Sequence, residues 1–191
     1  MPPRAGLNLQ SIVKAATALA DERGLHEVTL TVVAQKLGIR SPSLYNHVNG
    51  LTGLRREMAL SGLDQLKDVL MHAAVGRSED KAIREMARAY VEFTRAHPGL
   101  YEATFYISDT DDQELNTMKN QVLELFTQVL AGFDLDDDAL IHAIRGLRSI
   151  LHGFSSLERT GGFGLNVDVN QSFEWIMNTF LQGLHPLQSQ S

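Results

Sequence analysis

From Phe173 to Leu184 the apolar residues fall at i, i+3, i+4, i+7, i+8 and i+11: Phe173, Ile176, Met177, Phe180, Leu181 and Leu184. That spacing places all six on one side of an α-helix and predicts a helix with one face in a core. The same period recurs along the chain. Ile12, Val13, Ala16, Leu19 and Ala20 form a stripe closed by Gly24, and Ile83, Ala87, Tyr90 and Val91 form one stopped at the His-Pro-Gly of 97–99. Leu115, Met118, Val122, Leu125 and Val129 run up to Gly132, and Leu140, Ile144, Leu147, Leu151 and Phe154 step by four, three, four and three. Turn signals separate the stripes: VGRSED at 75–80, SDTDD at 108–112, DLDDD at 134–138 and TGGFG at 160–164. The fold class predicted is all-α, with about nine helices.

One segment competes. VTLTVV, from Val28, alternates like a strand and is β-branched. Leu30, Val33, Ala34 and Leu37 also make i, i+3, i+4, i+7, between a plausible N-cap at Thr29 and a stop at Gly38. A lone strand would leave its backbone groups unpaired, so a helix is predicted here too.

With 191 residues the chain can bury a sizeable core, as one large domain or two small ones. It has no cysteine, which excludes disulfides and thiolate metal sites. No segment has the apolar length of a signal peptide core or a membrane span, so the reading is cytoplasmic, with no membrane partner. The net charge of −6 is unevenly spread: residues 1–60 hold seven bases and four acids, a balance of +3, leaving −9 for the rest. Opposite signs in the two parts point to separate partners.

SPSLYNHVNG, at 41–50, is poor in helix formers, yet Ser41-Pro42 reads as an N-cap followed by a first-turn proline. At about 100° per residue, Leu44 and Val48 lie within about 40° of each other and face inward. Pro42, Ser43 and Asn46 lie opposite, with Tyr45 and His47 on the flanks. After a helix at 29–37 and the turn GIRS, this is a helix-turn-helix layout. Small central side chains suit base edges in a major groove and flanking groups suit phosphates. On residue chemistry alone, an exposed amphipathic helix of a bundle fits as well.

The stretch TLTVVAQKLGIRSPSLYNHVNGLTGLRREM resembles the DNA-binding domain of the tetracycline-repressor (TetR) family. Ala34, Leu37, Gly38, Leu44, Tyr45 and His47 match its pattern, and the resemblance covers roughly residues 9–60. LRSILHGFSSLERTGGFG is similar to the effector domain of a subgroup with a histidine-glycine pair, here His152 and Gly153. The resemblance implies a three-helix helix-turn-helix domain over 1–50 and an effector-binding and dimerisation domain over 51–191. It implies a homodimer on a double-stranded, near-palindromic operator, and a repressor released by a small-molecule effector. Carried over by position, the DNA-facing residues are Thr31, Ser41, Pro42, Ser43, Tyr45, Asn46 and His47. Leu51 stands where many members have a lysine, and Arg55, Arg56 or backbone amides are the possible replacements for that phosphate contact.

Among these, Asn46 is the candidate for base readout, because an amide can pair two-point with adenine. Pro42 can touch a thymine methyl, while Tyr45 and His47 are assigned to phosphates. Arg40 is the guanidinium next to the helix, open between guanine and phosphate.

No catalytic, metal or cofactor site is predicted. The aspartates from Asp134 lack the glycine and glutamate of a calcium loop, having Ala139 and Arg145 there, and read better as a helix start favoured by acids. His142 and His152 are ten apart on one predicted helix, about 15 Å along its axis. Helices at about 137–159 and 168–184 carry more than one apolar face and are the expected dimer interface, with Gly146, Gly153 and Gly183 permitting close approach. Candidate pocket residues, on the inward sides of body helices, are Tyr90, Phe93, Thr94, Phe105, Met118, Phe126 and His152. A mostly apolar cavity of that kind favours a hydrophobic or aromatic effector. Two functions follow: a ligand-responsive dimeric transcriptional regulator, or a helical homodimeric interaction protein without specific operator recognition.

Overall fold

A computed structural model of the protein describes residues 7–106 and 111–185, so most of the SDTDD turn lies outside the described residues. Among the described residues there are α-helices and 3-10 helices and no strand, as the periodicities require. The α-helices are α1 (Leu9–Arg23), α2 (Leu30–Leu37), α3 (Gly50–Ala74), α4 (Glu79–Ala96), α5 (Pro98–Tyr106), α6 (Gln113–Leu130), α7 (Asp137–Arg159) and α8 (Val169–Leu184). Short 3-10 helices occupy Leu25–Glu27, Ser41–Asn46 and Ala131–Phe133.

The chain forms two compact units, Met1–Gln65 with Ala96–Met118, and Leu66–Arg95 with Lys119–Ser191. In the first, α1 begins with a capping box in which Asn8 accepts from the Ser11 amide at 2.8 Å. Its predicted stripe, Ile12, Val13, Ala16, Leu19 and Ala20, is buried throughout. The strand-like VTLTVV is helical, and Thr29 caps α2 by accepting from the Val32 amide at 3.2 Å. Gly38, at φ +66, ends it in the left-handed region. The closing bonds, Ile39 N–H to the Ala34 carbonyl at 3.0 Å and Gly38 N–H to Gln35 at 3.1 Å, leave no room for another turn.

The His-Pro-Gly at 97–99 does more than stop α4: Pro98 opens α5, a helix the stripes did not predict. Its start is capped from far away in sequence. Asp21 Oδ1 on α1 accepts from the amides of Gly99 at 2.9 Å and Leu100 at 3.0 Å, and Oδ2 faces His97 Nδ1 at 3.1 Å. A Cβ on Gly99 would lie 2.2 Å from the Ala20 carbonyl carbon, so only glycine lets α5 lie against α1 this closely.

In the second unit, α4 carries Ile83, Met86, Ala87, Tyr90 and Val91 into the core and points its charges toward α7 and α8. Arg88 donates to Glu174 at 2.7 Å, Arg84 meets Asn178, Arg95 forms a two-point pair with Glu158, and His185 pairs with Asp80 at 2.9 Å. Hydrogen bonding to Arg88 holds the Glu174 carboxyl below its ordinary range. The expected α6 stripe is rotated: Leu115, Phe126 and Leu130 are buried, while Met118, Val122, Leu125 and Val129 are half-buried. Phe126 takes an inward place because the buried face of α6 runs through 115, 126 and 130. On α7, Leu147, Leu151 and Phe154 are buried as expected, and Leu140 and Ile144 half-buried. Phe154 packs its ring 4.9 Å from those of Phe163 and Phe173. Asp136 caps α7 through the Ala139 amide at 2.8 Å, which accounts for the aspartate-rich start.

Candidate nucleic-acid interface

Two residues fix the element at 41–46. Leu44 is fully buried and Val48 is 5% exposed. Around them the chain is a 3-10 helix rather than the α-helix implied by a 100° step, and Arg40, not Ser41, is its N-cap. Arg40's carbonyl accepts from Ser43 N–H at 3.0 Å, and Ser41 makes no side-chain cap. With about three residues per turn, Ser41 and Leu44 share one edge, Pro42 and Tyr45 a second, Ser43 and Asn46 a third. Two of the three edges therefore lead outward. Leu44's carbonyl ends the helix by accepting from both His47 N–H (2.9 Å) and Val48 N–H (3.0 Å), which turns Val48 inward.

The outcome for the DNA candidates is consistent in one respect: none is buried. Thr31, Arg40, Pro42, Tyr45, Asn46 and His47 are exposed, and Ser41 and Ser43 are half-exposed. Tyr45 leaves 63% of its surface open, unusual for a large ring and held there by the burial of its neighbour Leu44. The 41–46 helix packs on α2, with Thr31 in α2's first turn.

At the start of α3 the two arginines named for the phosphate contact already have partners within the protein. Arg56 does not stand free to replace the missing lysine at 51. Its Nε and Nη2 donate to Asp112 at 2.6 and 3.1 Å, Nη2 also to Glu114 at 2.7 Å, and Nη1 to Glu57 at 3.0 Å. These bonds, Asp112 first and Glu114 next, push the guanidinium further toward its charged form, and in return Arg56 holds the Asp112 carboxyl below its ordinary range. Arg55 is also occupied: it reaches the Leu25 carbonyl at 3.4 Å and lies 4.4 Å from the centre of the Tyr106 ring. Its Nε is buried with no hydrogen-bond partner among the described residues. Nothing in the sequence near Arg56 announces its carboxylate partners, because two of the three lie 56 and 58 positions away.

The candidate pocket residues divide between the units. Tyr90, Phe93, Thr94 and Phe126 are buried in the second, where Thr94 donates to the Val91 carbonyl at 2.8 Å and to Ser155 at 3.1 Å. His152 is exposed on α7, and Phe105, 49% exposed on α5, lies in the first unit with its ring 4.9 Å from Tyr101. These two do not point inward as expected, since the core-facing positions of α7 and α5 go to Leu151, Phe154, Tyr101 and Thr104. Met118 lines a cleft of about 900 Å³ wholly within the first unit.

Residues 83–180 match the family described as tetracyclin repressor-like, C-terminal domain. An uncharacterized HTH-type transcriptional regulator of Bacillus subtilis (strain 168), YobS, is 39% identical over 186 residues, covering 96% of each chain. The chain belongs to the TetR family. Its fold is also that of solved structures. A protein of unknown function from Rhodococcus sp. RHA1 superposes with a TM-score of 0.83 at 19% identity, over 97% of this chain and 99% of that one. The transcriptional regulator SCO7222, a TetR from Streptomyces coelicolor, gives 0.74 at 20% identity, over 96% and 100%. Family membership identifies the helix-turn-helix as the element that defines these regulators, and leaves the roles of its individual side chains to their geometry.

Proposed function

We propose that this TetR-family chain is a ligand-responsive homodimeric repressor that reads a near-palindromic DNA operator through α2 and the 41–46 helix. One observation carries the reading: a buried Leu44 holds Pro42, Tyr45 and Asn46 outward on a surface that contributes nothing to the core. Asn46 reads a base, Tyr45 and His47 bind phosphates, and Thr31, Ser41, Ser43 and Arg40 border the same contact. The dimer forms through α7 and α8, whose exposed Ile141, Leu157 and Trp175 find cover there. Gly153 and Gly183 support this, since nothing lies within 4 Å of where their Cβ atoms would be. The effector binds in the body around Tyr90, Phe93, Thr94 and Phe126 and lowers operator affinity by favouring a different headpiece spacing. A coupling of about 1–3 kcal/mol would change that affinity by roughly 5–150-fold.

The test is retardation of DNA from the protein's own promoter region against excess unrelated DNA. A specific shift supports the reading. Its loss to any competitor at moderate salt supports the second reading, a helical homodimer without operator recognition. One observation favours that alternative: at the start of α3 Leu51 carries no charge, and Arg55 and Arg56 are both engaged by groups of the protein itself.

A further inference from the structure

The cleft of about 900 Å³ in the first unit has no part in that reading. Its walls come from α1, the first half of α3, His97 and the start of α6. Val13, Leu60 and Met118 give it apolar surface, and its volume is that of a small-molecule site, roughly 300–1,000 Å³. Asp21, Glu57, Asp64 and Glu114 give it charge, against Lys14 as the one lysine or arginine in the lining. Arg56, itself paired with Asp112, bonds both Glu57 and Glu114. Counting that pair as well gives five carboxylates against one lysine and one arginine, Lys14 and Arg56. An anion would meet more carboxylates than bases, and a neutral apolar molecule would desolvate carboxylates without pairing them. A cation on an apolar body satisfies both kinds of surface.

The carboxylates also have a second task. Glu57 and Glu114 hold Arg56, joining α3 to the start of α6, and Asp21 holds the start of α5 against α1. We propose that this cleft is a second small-molecule site, for an amphipathic organic cation whose ammonium group shares Glu57 and Glu114 with Arg56 and faces Asp64. Its occupancy acts on the junction between α3 and α6 inside the DNA-binding unit, separately from an effector bound in the body.

Methyl-labelled methionine NMR on the full chain, without DNA, tests this independently of operator recognition. Met118 lies in the cleft wall, and Met86 and Met177, fully buried in the second unit, serve as internal controls. The probe is 4-phenylbutylammonium, with 4-phenylbutan-1-ol as its neutral counterpart. The amine shifts the Met118 methyl saturably, and the alcohol does so about tenfold more weakly or worse. Asp64→Asn, at an exposed position of α3, weakens the amine by about two- to fivefold, as does Glu114→Gln. An unmoved Met118, equal binding of amine and alcohol, or shifts confined to Met86 and Met177 would overturn the proposal.

Discussion

Arg56 and Asp112, 56 positions apart, are joined by two parallel hydrogen bonds of 2.6 and 3.1 Å. This two-point pair is the strong form of a guanidinium–carboxylate contact. It also redirects a charge that the sequence leaves free. The +3 balance of residues 1–60 counts Arg56 as a base available to DNA, whereas its three carboxylate partners use it to fasten α3 to the start of α6.

That pair makes stability depend on pH. The Asp112 and Glu174 carboxyls are both held below their ordinary range, so their contribution is complete above the unfolded values, near 4, and is lost as pH falls through the folded ones. Arg56→Gln lowers the urea midpoint at pH 7, where it leaves three carboxylates facing one another. Near pH 3 the gap between variant and parent narrows. Urea unfolding at the two values checks both the sign and the window.

Leu44→Ala removes the anchor of the 41–46 helix. Truncating a fully buried leucine costs about 2–5 kcal/mol, and here the 41–46 helix loses the contact that orients its exposed edges. Thermal unfolding gives the stability loss. DNA binding falls further than stability does when the two are compared at a temperature where the variant is folded.

Asn46→Ala leaves the fold intact, because Asn46 is exposed and Leu44 and Val48 hold the element. It relaxes base preference at one operator position by about 1–3 kcal/mol. Binding-site selection with parent and variant reads this directly, and an unchanged preference removes Asn46 from base readout.

Gly99→Ala forces α5 away from α1, since the added methyl would lie 2.2 Å from backbone that has nowhere to go. Overpacking of this kind costs about 1–3 kcal/mol or more. Asp21→Ala frees the same helix by removing the carboxylate that caps Gly99 and Leu100. Both variants lower the thermal midpoint, and combining them costs less than the sum because they act on one contact.

What could be read beforehand follows from how local each cause is. The α1 stripe, Thr29 and Gly38 as the limits of α2, and Asp136 at the start of α7 all act within a few residues, and each lies where the pattern puts it. α5 was illegible because its cap, Asp21, sits 78 residues before Gly99. Six residues at 41–46 are too few to separate a period of 3.0 from 3.6, so the exposed face was legible and its helix type was not. Arg56's occupation, the outward positions of Phe105 and His152, and the cleft beside Met118 all depend on which distant surfaces meet.

The central claim is sequence-specific DNA binding by a dimer, and fluorescence anisotropy over a range of salt tests it most directly. A labelled duplex carrying the selected two-half-site sequence is compared with a scrambled duplex of the same composition. The account predicts affinity at least about 10³-fold higher for the selected site at physiological salt, with two chains bound per duplex. Equal affinities that decay together as salt rises would contradict it.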